Sequence, residues 1–141
     1  MRIGHLWIFS NEVDTKETPL NSFTPGQTVT VTSSSGEKFG NAYINPHALI
    51  CARLFSHDSR QPLDSGLLQR QLGNALQLRQ SYFEDPYYRL VYGESDYLPG
   101  LIVDRFENAL VVQTSTLGMD LIQSQIIDVL DSTLTPETII I

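Results

Sequence analysis

Up to Phe55 the apolar residues of this chain fall in short runs that read as strands, and from Asp64 they recur with the period of a helix. That change demands a mixed fold, because side chains alternate across a strand but share one helix face only every three or four residues. Residues 28–32 alternate Thr and Val without a lapse, the turn Ser33-Ser34-Ser35-Gly36 reverses the chain, and residues 39–44 return as its partner. Asn45-Pro46 breaks that strand, residues 49–55 make another, and residues 6–13 read as an opening strand. Four strands within about 50 residues, joined by short turns, predict a small β-barrel or highly curved sheet, an arrangement that removes exposed edges.

Beyond the polar linker 56–62, Leu68, Leu72, Ala75, Leu76 and Arg79 recur at three- and four-residue spacing, which predicts a helix over 64–82 with Asp64 or Ser65 as its cap. Strands follow at 88–92 and 101–106, Glu107-Asn108 reverses the chain into 109–115, and a second amphipathic helix spans 119–134. The expected class is α+β: a small β-barrel over 1–58, then a strand-rich α/β domain over 59–135. Residues 136–141 close on Thr138-Ile139-Ile140-Ile141, an apolar strand start. Such a strand needs backbone partners and cover, so it is expected to open a further domain of a longer protein.

Residues 93–106 read Gly-Glu-Ser-Asp-Tyr-Leu-Pro-Gly-Leu-Ile-Val-Asp-Arg-Phe. Pro sets φ at the second position of a turn and Gly accepts the positive φ required at the third, so Pro99-Gly100 predicts a type II turn feeding an apolar strand. Glu94, Asp96 and Asp104 around it suggest acid/base chemistry or a hard cation. Turns also favour Asp and Ser for local hydrogen bonds, and the structural role is preferred here. Asp104-Arg105 is either an internal ion pair or the anchor of a loop against a partner domain.

Other chemistry is sparse. His5, His47 and His57 are spaced too irregularly for a metal site, no Ser occupies a nucleophile elbow, and the nine glycines form no Gly-x-Gly arrangement. No catalytic residue and no metal ligand are assigned. Cys51, between Ile50 and Ala52, reads as buried filler. With 41% hydrophobic residues the chain can bury one ordinary core or two small ones, and no apolar run approaches the ~20 residues that span a bilayer. A cytoplasmic protein without membrane contact is expected.

The net charge of −7 is unevenly placed, for residues 1–79 carry seven Lys/Arg against six Asp/Glu and residues 80–141 two against ten. Contact with a polyanion therefore belongs to the first half. Trp7 and Phe9 lie two apart, so in a strand their rings share a side, with Arg2 and His5 just before them. Such a face can stack on unpaired bases, or else at least one ring belongs to the core. Arg53, enclosed by Ala52 and Leu54, must project to a polar side or find a partner, which marks it for a phosphate or a salt bridge.

The order of these motifs carries a family resemblance. Gly4-His5-Leu6-Trp7-Ile8-Phe9-Ser10 resembles the Gly-His-Pro-Trp-Val-Phe-Ser opening of the S-adenosylmethionine-dependent 23S rRNA cytosine-C5 methyltransferases of class I. Asn45-Pro46-His47 through Arg53 is similar to the end of their PUA domain, a small RNA-binding barrel. Arg89-Leu90-Val91, Gly93-Glu94-Ser95-Asp96 and Leu98 through Arg105 resemble their central strand-strand-helix-strand-strand domain. Leu6 departs from a Pro, Asn11 from a Gly and Tyr97 from a Gly.

The resemblance implies a parent that transfers a methyl group to cytosine carbon 5 through a catalytic cysteine in a C-terminal domain outside this chain. S-adenosylmethionine is the parent's cofactor, with none bound by this fragment, and rRNA is its partner; a homodimer is left open. Arg2, His5, Trp7, Phe9 and Arg53 would face RNA, while Arg89, Glu94, Asp96, Asp104 and Arg105 would be structural or interdomain. Two alternatives from other classes stand beside it: a freestanding carboxylate enzyme using Mg²⁺ at Glu94, Asp96 and Asp104, and an acidic protein-protein adaptor.

Overall fold

The computed structural model describes residues 5–141, which divide into two compact units meeting at Pro62 and Leu63. In the first unit, β1 (Trp7–Phe9), β2 (Thr28–Thr32), β3 (Lys38–Ile44) and β4 (Ile50–Ser56) form one antiparallel sheet in the order β1-β4-β3-β2. Register shifts at Ile8/Phe9, Val31/Thr32 and Asn41/Ala42 interrupt its ladders, and bulges of this kind bend strands and increase twist. Ile8, Ala42, Ile44, Cys51, Ala52 and Leu54 make its core, with Val29 and Val31 packed against them while Thr28, Thr30 and Thr32 stay exposed. The alternation in 28–32 thus buries valine methyls and leaves hydroxyls outside.

The opening strand is shorter than expected. After Phe9 the chain enters a 3-10 turn, Ser10–Glu12, in which the Glu12 carboxylate accepts the Phe9 N–H at 2.9 Å. That local bond takes a backbone donor a longer strand would need for its ladder.

The second unit runs α1 (Ser65–Tyr82), β5 (Tyr87–Tyr92), β6 (Leu101–Phe106), β7 (Ala109–Thr114), α2 (Leu117–Asp120), α3 (Gln123–Leu134) and β8 (Thr138–Ile140). Its sheet has the order β5-β6-β7-β8, antiparallel except for β8, which lies parallel to β7 after the crossover through α3. Residues 136–141, expected to open a further domain, supply this last strand. The mixed α+β class holds: α1 precedes the strands, and α3 divides β5, β6 and β7 from β8.

Helix α1 begins where its cap predicts: Asp64 accepts the Leu67 N–H at 2.9 Å, and Leu67, Leu68, Leu72 and Ala75 are buried. Removing that cap with Asp64→Ala is expected to lower stability by about 1 kcal/mol in urea unfolding, and a change below ~0.3 kcal/mol would show the cap idle. Leu68 and Leu72 meet Ile126, Val129 and Leu130 of α3 over Leu101 and Val103 of β6, which closes an apolar core on one face of the sheet. The second expected helix is split. The Thr114 hydroxyl bonds the Asp120 carboxylate, tying the short α2 to β7, and the chain steps at Ile122 before α3.

Candidate nucleic-acid interface

Extended backbone in β1 sends Ile8 into the core, 8% exposed, and turns Trp7 and Phe9 the other way, where both are half-buried. Neither ring is a core residue, because core and outer positions alternate and Ile8 holds the core position. His5, exposed, stands edge-on to Trp7 with centroids 5.5 Å apart and 6.3 Å from the ring of Phe9; Trp7 and Phe9 lie 6.5 Å apart, also edge-on. These distances fall in the range where aromatic pairs attract. The three rings therefore form a strip along the edge strand.

Arg53 completes it from β4. In register with Trp7, its guanidinium carbon sits 5.2 Å from the indole centroid, while its neighbours Ala52 and Leu54 point into the core. A guanidinium over an indole face is held by the ring quadrupole and keeps its charge at the surface. The strip joins flat rings for stacking to a planar cation able to pair with a phosphate. Arg2, placed beside it by the sequence, lies outside the described residues. Cys51 is buried, its thiol 3.4 Å from the Ile8 carbonyl oxygen, and burial first of all pushes its pKa up, so it stays protonated filler.

The 93–106 block is built from paired charges. Its turn is closed by the Leu101 N–H donating to the Leu98 carbonyl at 3.0 Å, with Gly100 at φ +79°, as type II demands. Asp96, 8% exposed, accepts both Arg79 guanidinium nitrogens at 2.7 Å and the Tyr92 N–H at 2.7 Å. Arg79 also donates from Nε to the Arg89 carbonyl at 3.1 Å, so one guanidinium joins α1, β5 and the 3-10 turn Gly93–Asp96. Arg89 pairs with Asp104 at 2.8 and 3.1 Å and lies 5.3 Å over Tyr92; this pairing raises the Arg89 pKa.

Asp104 and Arg105 do not pair with each other, for adjacent strand residues face opposite sides: Asp104 meets Arg89 on one, and Arg105 donates to the Tyr88 hydroxyl at 3.1 Å on the other. Glu94 is half-buried in the 3-10 turn. With Asp96 and Asp104 each held by a two-pronged arginine, a cation would have to displace both. Among the described residues no group of three His, Cys, Asp or Glu could hold a metal ion.

Arg79 is the residue that motif inspection passes over. Its signal was its place in the repeat Leu68, Leu72, Ala75, Leu76, Arg79: a cation on the buried stripe of a helix requires a buried anion.

Comparison with known proteins bears on both units. A family described as PUA-like domain matches residues 1–57. Ribosomal RNA large subunit methyltransferase I from Pseudoalteromonas translucida is 34% identical over 129 residues, 89% of this chain and 32% of the relative. The same-named protein of Erwinia tasmaniensis is 37% identical over 119 residues, 82% of this chain and 29% of its own length. The chain thus spans about a third of the length of these curated relatives. Among solved structures, SMU.776, described as a methyltransferase and complexed with SAH, superposes with a TM-score of 0.79 over 94% of this chain and 34% of its own, at 16% identity. A protein described as a SAM-dependent methyltransferase from Streptococcus mutans gives a TM-score of 0.77 over 93% of this chain and 34% of its own, also at 16% identity. At that identity the likeness speaks for the fold. Residues 1–57 thus match the description of a PUA-like domain, and most of the chain is similar to a segment of the ribosomal RNA large subunit methyltransferase I proteins.

Proposed function

We propose that this chain is the RNA-recognition portion of a cytoplasmic, S-adenosylmethionine-dependent rRNA (cytosine-C5) methyltransferase, positioning 23S rRNA for a catalytic domain outside the 141 residues. The observation that carries the proposal is the strip of His5, Trp7 and Phe9 with Arg53 in register over Trp7, inside the segment that matches a PUA-like domain. Unpaired bases stack on such rings, and a base to be modified must be unstacked before a catalytic pocket can take it. The cofactor belongs to the parent, since this chain has no glycine-rich loop to cradle it. Arg89, Asp96 and Asp104 stiffen the second unit and take no part in chemistry. No described helix is long and apolar enough to cross a membrane.

The test is fluorescence anisotropy of the 141-residue chain with unpaired 23S rRNA oligonucleotides over a salt series. Trp7→Ala is expected to weaken binding by about 1–3 kcal/mol, or roughly 5- to 150-fold, the contribution of one stacked base. Arg53→Ala is expected to weaken it and reduce the slope of log K against log salt by about 0.7, the loss of one phosphate contact to a single strand. Affinity and slope unchanged in both variants would remove the strip from the RNA face.

A further inference from the structure

We propose that the uncovered face of the second unit's sheet docks an arginine- or lysine-rich polypeptide segment. Helices α1 and α3 pack over Leu101 and Val103, so the opposite face carries the alternate residues of each strand. The register lays these out in rows: Tyr87 opposite Phe106, Arg89 opposite Asp104, and Tyr92 opposite Ile102, the last brought into line by the shift between Arg89 and Val91. Ile140 joins the middle row through Val111. Tyr87, Tyr92, Phe106 and Ile140 are 57, 55, 51 and 53% exposed, a concentration of large apolar groups on one face that marks an interaction surface.

Charge selects the occupant. Residues 63–141 hold four arginines against eleven carboxylates. On the face itself Arg89 is neutralised by Asp104, and at its end the Tyr87 hydroxyl donates to Glu107 at 3.1 Å. Glu107, which accepts that hydrogen bond, raises the Tyr87 pKa, and Asp85, two residues before it in the chain, adds to the shift. Neither makes an ion pair among the described residues. Exposed rings in an acidic unit attract cations, and the Arg89 guanidinium 5.3 Å over Tyr92 already displays the contact. A polyanion would be repelled, and a second copy would bring like-charged units together. This surface belongs to the second unit, so its test is independent of the RNA strip.

The experiment titrates the ¹⁵N-labelled 141-residue chain with a nine-residue peptide of alternating Arg and Gly, with the Glu-Gly peptide as control. Shifts are expected at the amides of Tyr87, Arg89, Tyr92 and Phe106. Phe106→Ser, and separately Tyr92→Ser, should weaken binding by about three- to tenfold. Asp131→Asn, which removes an exposed charge on α3, should change it less than twofold. Equal losses in the ring variants and Asp131→Asn would reduce the effect to bulk charge and overturn the proposal. So would shifts centred on α3, stronger perturbation of the face by single-stranded RNA, concentration-dependent shifts without peptide, or no binding.

Discussion

Asp96→Ala is expected to destabilise the second unit by about 3–5 kcal/mol, the cost of stranding one partner of a buried ion pair. The Arg79 and Asp96 side chains are 14 and 6% exposed, so water cannot take over the guanidinium left behind. The Tyr92 N–H loses its acceptor as well, and with it goes the junction between α1, β5 and the turn leading to Pro99-Gly100. The Arg89–Asp104 pair makes the contrast. Its side chains are 45 and 23% exposed, and Asp104→Ala should cost at most about 1 kcal/mol despite similar hydrogen-bond lengths. Urea unfolding of both variants separates the two costs. The combination Arg79→Met with Asp96→Ala should recover part of the loss, because no charge is then stranded. A loss below ~1 kcal/mol for Asp96→Ala would show that its burial is not maintained in solution.

Gly40→Ala is expected to disrupt the first sheet by about 3 kcal/mol or more, since it combines backbone strain with a collision that cannot relax cheaply. Gly40 has φ +138°, and a Cβ there would overlap the Ser56 carbonyl oxygen and lie 2.8 Å from the His57 Cα. Both obstacles are backbone, at the last residue of β4 and the one after it, beside the bulge where Asn41 pairs with Ser56. Gly36 supplies the control: φ is +86° but nothing lies within 4 Å of its missing Cβ, so Gly36→Ala should cost only about 1–2 kcal/mol of left-handed strain. Circular dichroism and urea unfolding of the two variants measure the difference. Equal losses would mean that the close approach of β3 to β4 is absent.

The first link, from sequence to local structure, was legible wherever a signal acts over a few residues. Asp64 caps α1, Gly100 takes the positive φ of its turn, and residues 28–32 form a strand with valines inward. Legibility failed where a local hydrogen bond competed with the hydrophobic pattern. Glu12 captures the Phe9 N–H and ends β1 early, and Thr114 ties Asp120 to β7 in the short helix that precedes α3. At the candidate site the alternation placed Trp7 and Phe9 on one side together, but it did not say that Ile8, and neither ring, would be the core residue.

The sequence alone determined most of the elements, which residues within them share a face, and that three carboxylates gather around one turn. Which cation each carboxylate meets was decided only by tertiary structure. Asp96 reaches Arg79 across 17 positions, Asp104 reaches Arg89 across 15, and Trp7 lies beneath Arg53 from a strand 46 residues away in sequence. The physical reason is register. Turn and cap preferences are energies of neighbouring dihedrals and are written locally, whereas cross-strand partners depend on how ladders align. The shifts at Ile8/Phe9 and Arg89/Val91 reset that alignment, and with it the neighbours of every side chain beyond them.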